Sequence, residues 1–481
     1  MKKLLKRYPL LIAIALLAFV LRMYRVNTPL LDWHSWRQAD TASVTREYQK
    51  NGIDILHPKY HDVSDIPSGI PNPEGYRMVE FPLYNVLVTG ILEIVPALPL
   101  VPTSRVISAL FSIGTLLSLF FLTKSYYGKK AGYLAAFFFA VVPYSIFYSR
   151  VVLPEPMMVF LSTFSITTFR YFLKRNSNRL YALSLLSLAL SFLLKPFTAF
   201  LAPVYLVMLL QERTLKELAR DLRLYIYPVV AIAPFLLWRK WISQFPEGIP
   251  ASDWLLNGNG IRFRPAWVRW LGYERITKMI LGYVGVLTLP ISLLVSLKKK
   301  EFFIASWWLG IALYFTVIAT GNVQHDYYQA LLTPIIAITL AHAVLVTDKF
   351  LSKKINPLVS IGTLLVFTIF MLFLSWQQIK GFFNINHPEY SEVGEKVKEL
   401  IPADALIVAT QYGGDTAFLF QTDHRGWPLG FKVPEYIEQG AEYYVTTTLD
   451  AEATELSEQY FIVAQTESYL ILDLTKEKNS Q

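Results

Sequence analysis

Eleven long runs of apolar residues constrain this chain more than any other feature. They lie at 8–21, 105–123, 131–149, 157–173, 180–194, 197–211, 225–242, 279–297, 302–320, 329–347 and 358–376. Each is close to the roughly 17–25 residues with which a helix crosses the hydrocarbon of a bilayer. In lipid every backbone N–H and C=O must be bonded within the protein, which leaves helices as the reading for runs of this length. Composition agrees: 53% of the 481 residues are hydrophobic and 17% charged, against roughly a quarter charged in a soluble domain. The expectation is a polytopic α-helical membrane protein. The opening Met-Lys-Lys-Leu-Leu-Lys-Arg and the run behind it have no small-residue cleavage site after them and read as an uncleaved first helix. The absence of cysteine excludes a disulfide framework, a thiol nucleophile and a cysteine-ligated zinc.

Charge then sets sidedness. Residues 377–481 carry 17 Asp and Glu against seven Lys and Arg, a balance of −10 in a chain that is +9 overall. The remainder is basic, and its cations sit in short connectors: Lys124/Lys129/Lys130, Lys174/Arg175/Arg179, Arg213/Lys216/Arg220/Arg223, Lys298–Lys300 and Lys349/Lys353/Lys354. The positive-inside rule puts these, with Lys2, Lys3, Lys6 and Arg7, in the cytoplasm. They are too short and scattered for a nucleic-acid surface, so no nucleic-acid partner is expected. Residues 83–100 are apolar too, but carry Glu93, Pro96 and Pro99. A full crossing there would throw every later basic connector outside, so this stretch reads as an interfacial or re-entrant helix. Four segments then face outward: a long first loop (25–104), the stretch around Arg150–Pro156, residues 243–278, and Gly321–Tyr328.

The acidic tail lies on the same outer side. Its pattern predicts an amphipathic helix through Val393, Val397, Leu400 and Ile401, and a strand at Leu406–Thr410. Further strands are expected near 443–448, 461–466 and 469–475, with a helix near 451–460. That is a small extracytoplasmic α/β domain of 377–481, behind a membrane domain of 1–376. It has no glycine-rich phosphate loop; Gly413-Gly414 is only a turn signal.

Polar chemistry gathers in the outward segments. The first loop opens Leu31-Asp32-Trp33-His34-Ser35-Trp36-Arg37-Gln38-Ala39-Asp40-Thr41, two carboxylates, a histidine and an arginine among tryptophans. Carboxylates there suit general-base work on a hydroxyl; the plain alternative is an aromatic belt with Asp40 capping a helix over Ala42–Lys50. Glu80-Phe81-Pro82 closes the loop, where a carboxylate at a helix N-terminus would be favourable without any function. His57, His61, Asp62 and Asp65 between them are compatible with a divalent ion or with a solvated loop. Glu155 stands between Pro154 and Pro156 at the start of a span, and pairs with Arg150 on the plainest reading. Lys195-Pro196, Arg262, Arg264, Arg269 and His325-Asp326-Tyr327-Tyr328 are also outward. Single snorkelling cations mean little, but several beside carboxylates suit a phosphate group.

The first-loop acidic cluster, Glu80-Phe81-Pro82-Leu83, Ser149-Arg150…Glu155, Leu194-Lys195-Pro196 and His325-Asp326-Tyr327-Tyr328…Pro334 together resemble the GT-C glycosyltransferases. The branch they resemble is the protein O-mannosyltransferase and aminoarabinose transferase type, glycosyltransferase family 39 and its bacterial relatives. The resemblance covers most of residues 1–376. It implies transfer of a sugar, with inversion, from a polyprenyl-phosphate donor to an acceptor hydroxyl on a lipid, glycan or protein. The place implied is the outer face of a bacterial-type plasma membrane, with the N-terminus in the cytoplasm. Asp40 or Asp32 would be the base; many members have Asp-Glu where this chain has Asp40-Thr41, so both stand. Glu80 and Glu155 would orient acceptor and sugar, and Lys195, Arg150, His325 and Tyr328 would meet the donor phosphate. No cofactor is required, and a divalent metal is compatible but not demanded. The rival reading is a transporter or flippase of a lipid-linked or anionic solute, which predicts charges midway along helices rather than at their ends.

Overall fold

The computed structural model of the protein describes residues 7–411 and 414–478; Lys2, Lys3, Lys6 and Gly413 lie outside the described residues. The chain forms two compact units, each assembled from three stretches of sequence.

The helical unit comprises Met1–Val26, Arg105–Arg239 and Ser252–Phe382. All eleven apolar runs are largely helical in it. Pro9–Arg22 is the first. The next two belong to one long element, Leu100–Val141, interrupted at Gly128 (φ 86°, ψ 174°) beside the basic connector. That backbone conformation is one only glycine adopts without strain, so the break is encoded there. Glu155–Arg175 and Asn178–Leu194 form a helical hairpin whose link begins at the left-handed Asn176. Its interior holds a cluster of hydroxyls: Ser165, Ser184 and Tyr227 lie within 2.6–3.1 Å of one another. Polar groups buried inside an apolar bundle are costly unless bonded, and these three satisfy each other. Among the described residues four helices, beginning at Leu100, Leu222, Asp326 and Pro357, are long and apolar enough to cross a membrane, five if the bent pair Pro265–Ile280 and Val284–Lys298 counts as one span. Several of the others, such as Pro9–Arg22 and Phe303–Val317, are apolar but shorter.

The loop–sheet unit comprises Asn27–Ser104, Lys240–Ala251 and Phe383–Gln481. The first loop and the acidic tail thus share one compact body, a division that differs from a cut at 376/377. Five strands, β1 (Leu406–Thr410), β2 (Arg425–Trp427), β3 (Tyr443–Thr446), β4 (Tyr460–Gln465) and β5 (Leu470–Glu477), lie in the order β2-β1-β3-β5-β4. β1 is parallel to β2 and β3, while β5 is antiparallel to β3 and β4. The core under the sheet is built from Val408, Trp427, Tyr436, Tyr444, Leu456 and Leu472, and it takes in Val63 from the first loop. Val63 reaches it because residues 61–63 run beside β2, with Val63 N–H donating to Gly426 O and Gly426 N–H to His61 O. Gly426 itself lies against β1 so closely that a Cβ there would meet Ile407 O at 1.7 Å.

Of the tail, the helix Pro388–Leu400, the strands β1, β3, β4 and β5 and the helix Ala451–Gln459 stand where the sequence pattern predicts them. The helices Thr416–Thr422 and Val433–Glu438 and the short strand β2 were not expected. Leu83–Ile94 is helical for 12 residues, about 18 Å at 1.5 Å per residue and shorter than the hydrocarbon core.

Candidate active site

The first-loop helix runs Ser35–Asn51, starting earlier than the Ala42–Lys50 expected. Asp40 therefore sits inside the helix and does not cap it; the residue preceding the helix is His34 in a left-handed conformation (φ 56°). Ser35–Asn51 is strongly polar, yet most of it is buried, including Arg37, Gln38, Asp40, Thr41 and Glu47. Burial of that many polar side chains is costly unless each finds a partner, and the partners define the site.

One stretch of this helix gathers the three candidate carboxylates Asp32, Asp40 and Glu80. Arg37 makes a close ion pair with Glu80 and donates to Thr41 Oγ1 at 3.2 Å. Gln38 Nε2 donates to Asp32 Oδ1 at 2.7 Å. Asp40 meets Arg77 Nη2 through Oδ2 at 2.7 Å and accepts from Thr416 Oγ1 through Oδ1 at 2.7 Å. Arg77 lies over the Tyr60 ring, 5.0 Å from its centroid. Two further carboxylates share this field. Burial pushes Asp62 up to about 6, and the charge of Asp40 adds to the effect. Asp415 also moves up through burial, again with Asp40 contributing. Asp62 is held by Ser64 N–H and the Tyr60 hydroxyl.

The loop histidines are not brought together. His57 pairs with Asp54 at 2.9 Å. His61 is fully buried, stacks on Tyr60 and bonds nothing through either ring nitrogen. Burial, with Arg46, Arg77, Arg425 and Lys50 around it, holds His61 well below the usual histidine range. The loop is thus packed rather than solvated at His61 and Asp62. Among the described residues no three His, Asp or Glu side chains are placed to hold a metal.

In the helical unit a second polar cluster forms where helices end. Glu155 opens the helix Glu155–Arg175, with Pro156 second. Its partner is Lys195, 3.2 Å away, just past the end of Asn178–Leu194; it does not pair with Arg150 as the plain reading had it. Arg150 is fully buried and donates to the Arg25 carbonyl at 3.0 Å. Both carboxylate oxygens of Glu155 are buried and neither makes a hydrogen bond. Lys195 Nζ lies 5.9 Å from the Tyr328 ring, and Tyr328 in turn packs on Phe197 and His325. His325 is stacked with Tyr327 and edge-on to Trp254. Beside them Asp326 accepts from Tyr148 at 2.5 Å and pairs with Arg275 at 3.5 Å. Arg262, by contrast, spends its guanidinium on the Leu256 and Val317 carbonyls.

So Asp32, Asp40 and Glu80 are gathered in one unit, and Glu155, Lys195, Tyr328 and His325 in the other. Sequence reasoning missed Arg77, Thr416, Arg275 and Tyr148. A lone cation in a segment expected outside was the only signal for Arg77, and Thr416 offered none.

Across 97% of its length the chain superposes on ArnT from Cupriavidus metallidurans bound to undecaprenyl phosphate, covering 98% of that protein, with a TM-score of 0.68 at 11% identity. The fold is that of a GT-C glycosyltransferase. The archaeal oligosaccharyltransferase AglB from Archaeoglobus fulgidus, in complex with an inhibitory peptide and a dolichol-phosphate, shares this GT-C fold: TM-score 0.56, 13% identity, 99% of this chain and 75% of that one. Residues 84–238 match the sequence profile of the family described as dolichyl-phosphate-mannose-protein mannosyltransferase. No curated protein matches the chain by sequence. At such identities the GT-C likeness is one of architecture, and the chemistry has to be argued from this chain's own side chains.

Proposed function

We propose that the protein is a glycosyltransferase that moves a sugar from a polyprenyl-phosphate carrier to an acceptor hydroxyl at the outer face of a plasma membrane. The observation that carries this reading is the near full-length match to ArnT, a protein holding undecaprenyl phosphate. The family profile over residues 84–238 and the AglB match point to the same donor class. In this reading all eleven apolar runs span the membrane, the N-terminus is cytoplasmic and the sheet lies outside. The chain has no cysteine, so single cysteines report topology directly. A membrane-impermeant maleimide on intact cells is expected to label Glu458→Cys and to spare Arg175→Cys; the reverse pattern would invert the assignment.

Asp40, or failing it Asp32, takes the proton of the acceptor hydroxyl as its oxygen attacks C1 of the sugar. The C1–O bond to phosphate breaks, its electron pair leaves on the phosphate, and the configuration at C1 inverts. Both Asp40 oxygens are engaged, but each keeps a lone pair for the incoming hydroxyl. Lys195 and His325, backed by Tyr328, meet the phosphate and stabilise its growing charge. Glu155, whose oxygens lack hydrogen bonds, is suited to the sugar hydroxyls, and Glu80 orients the acceptor through Arg37. Arg150 acts as a positioning residue by holding the Arg25 carbonyl. The energy comes with the lipid-linked donor, since no nucleotide is at hand outside the cell.

The test is transfer in liposomes. Protein is given radiolabelled polyprenyl-phosphate monosaccharides with a membrane and glycan extract. Label is expected to leave the carrier with the wild type and to stay on it with Asp40→Asn. Label that crosses the bilayer while still on its carrier would instead establish a flippase.

A further inference from the structure

A polar cavity of about 390 Å³ lies in the loop–sheet unit, away from the three gathered carboxylates. It falls within the roughly 300–1,000 Å³ usual for small-molecule sites. Its lining includes Glu47, Asn51, Asp54, His57, Lys59 and Arg425. The walls are braced from behind. Tyr48 Oη donates to Asp54 O at 2.9 Å, and Asn51 Nδ2 to Glu47 Oε2 at 3.1 Å. His57 is fixed by Asp54 and stands edge-on to Trp241 and Phe245, with ring centroids 5.6 and 5.3 Å away. Lys59 pairs with Glu74 at 2.5 Å. Arg425 spends one nitrogen on the Pro73 carbonyl, while its Nε is buried with no partner.

The lining chemistry restricts the occupant. Two carboxylates face two permanent cations, so a phosphate or polyphosphate gains no net attraction. The polar walls leave an isoprenoid or an apolar peptide side chain without a dry surface. A sugar ring presents neighbouring hydroxyls, each both donor and acceptor. It is met by acceptor-only carboxylates, donor-only cations and an amide that does both. Glu47 follows Asp40 by seven positions in Ser35–Asn51, which places both on one face of the helix about 10 Å apart along its axis.

We infer that this cavity is a saccharide subsite holding a part of the acceptor remote from the reacting hydroxyl. The inference rests on the transferase reading for the direction in which the acceptor runs. A single ring seated at Glu47 does not span to Asp40, so the acceptor is an oligosaccharide or glycan-bearing molecule.

Full-length protein in detergent is applied to an array of defined mono- to tetrasaccharides. Two variants are compared with it: Asn51→Trp, which fills the mouth from an exposed position, and the isosteric Glu47→Gln. Retention of tri- or tetrasaccharides by the wild type, weakened about tenfold in both variants, is expected. Lys398→Ala, on an exposed face of Pro388–Leu400, serves as the control. In transfer assays the two variants raise KM for a bound oligosaccharide rather than lowering kcat; a parallel fall in kcat and thermal stability would mean a structural role and overturn the subsite. No retained saccharide, variants that bind like wild type, or transfer to a carbohydrate-free acceptor would each overturn it too. Saccharide binding without any transfer refutes the transferase reading instead, while the array still decides the subsite.

Discussion

Two buried carboxylate–cation pairs, one in each unit, look alike on paper and differ in how fully they are satisfied. Asp40 has Arg77 on one oxygen and Thr416 on the other, both at 2.7 Å. Glu155 has Lys195 at 3.2 Å and no hydrogen bond on either oxygen. A buried charge in low dielectric is tolerated when it is paired and its lone pairs are filled. The Asp40 pair meets that condition within the protein, which holds its carboxylate in one orientation. The Glu155 pair leaves it unmet, which is what a site completed by a ligand's own hydroxyls and phosphate would show.

The comparison breaks first at Asp40. Asp40→Asn keeps the shape and the Thr416 contact but removes the base, so transfer should fall by about 10²–10⁴-fold with expression retained. Near-normal turnover would remove Asp40 from the role and hand it to Asp32, where Asp32→Asn is the matching experiment. At the other pair, Lys195→Ala strands Glu155 without a counter-charge and should cost about 3–5 kcal/mol. The double change Lys195→Met with Glu155→Leu replaces the pair by apolar groups, which is often neutral for stability. A thermal midpoint that recovers while transfer stays lost would separate ligand binding from structural support. Recovered activity would show that the pair is only structural.

Much of this was legible in the sequence, for identifiable reasons. The apolar runs and basic connectors mark helices because lipid permits little else, and β1 and Pro388–Leu400 follow from plain alternation and helical periodicity. The helix Ser35–Asn51 was half seen: its polar residues carry no apolar stripe, so neither its true start nor its burial was visible. The joining of the first loop to the tail was hidden as well. It rests on long-range contacts such as Val63 beside β2 and Arg46 donating to Phe420 O, which leave no local pattern. For the same reason Arg77 and Thr416, 339 positions apart in the chain, could not be paired with Asp40 by spacing.

The crowding of carboxylates around Asp40 gives a smaller, pH-dependent effect. Asp62 is raised from 3.8 to about 6, chiefly by burial. Between those values the folded chain holds a proton that the unfolded chain has released. The contribution of Asp62 is therefore most favourable below about pH 4 and is lost as pH rises through about 6. Glu47 and Asp415 shift in the same direction through burial. Asp62→Asn removes the titration, so its thermal midpoint in detergent should gain on the wild type by a few degrees between pH 4 and 7. A constant difference across that range would mean that Asp62 does not titrate there.

The smallest effect belongs to His61, and it tests whether an unsatisfied buried group always marks a ligand site. Both ring nitrogens lack partners, as the Glu155 oxygens do, but His61 is neutral and packed between Tyr60 and Phe420. An unpaired buried polar atom costs about 1–3 kcal/mol, while the ring also fills space that Leu fills slightly less well. His61→Leu should therefore leave stability unchanged or improve it by about 1 kcal/mol, with transfer intact. That outcome would confine the ligand-site argument to charged groups such as Glu155. A loss of transfer at unchanged thermal midpoint would mean that the idle nitrogens of His61 are used in the reaction, and the contrast between the two units would have to be redrawn.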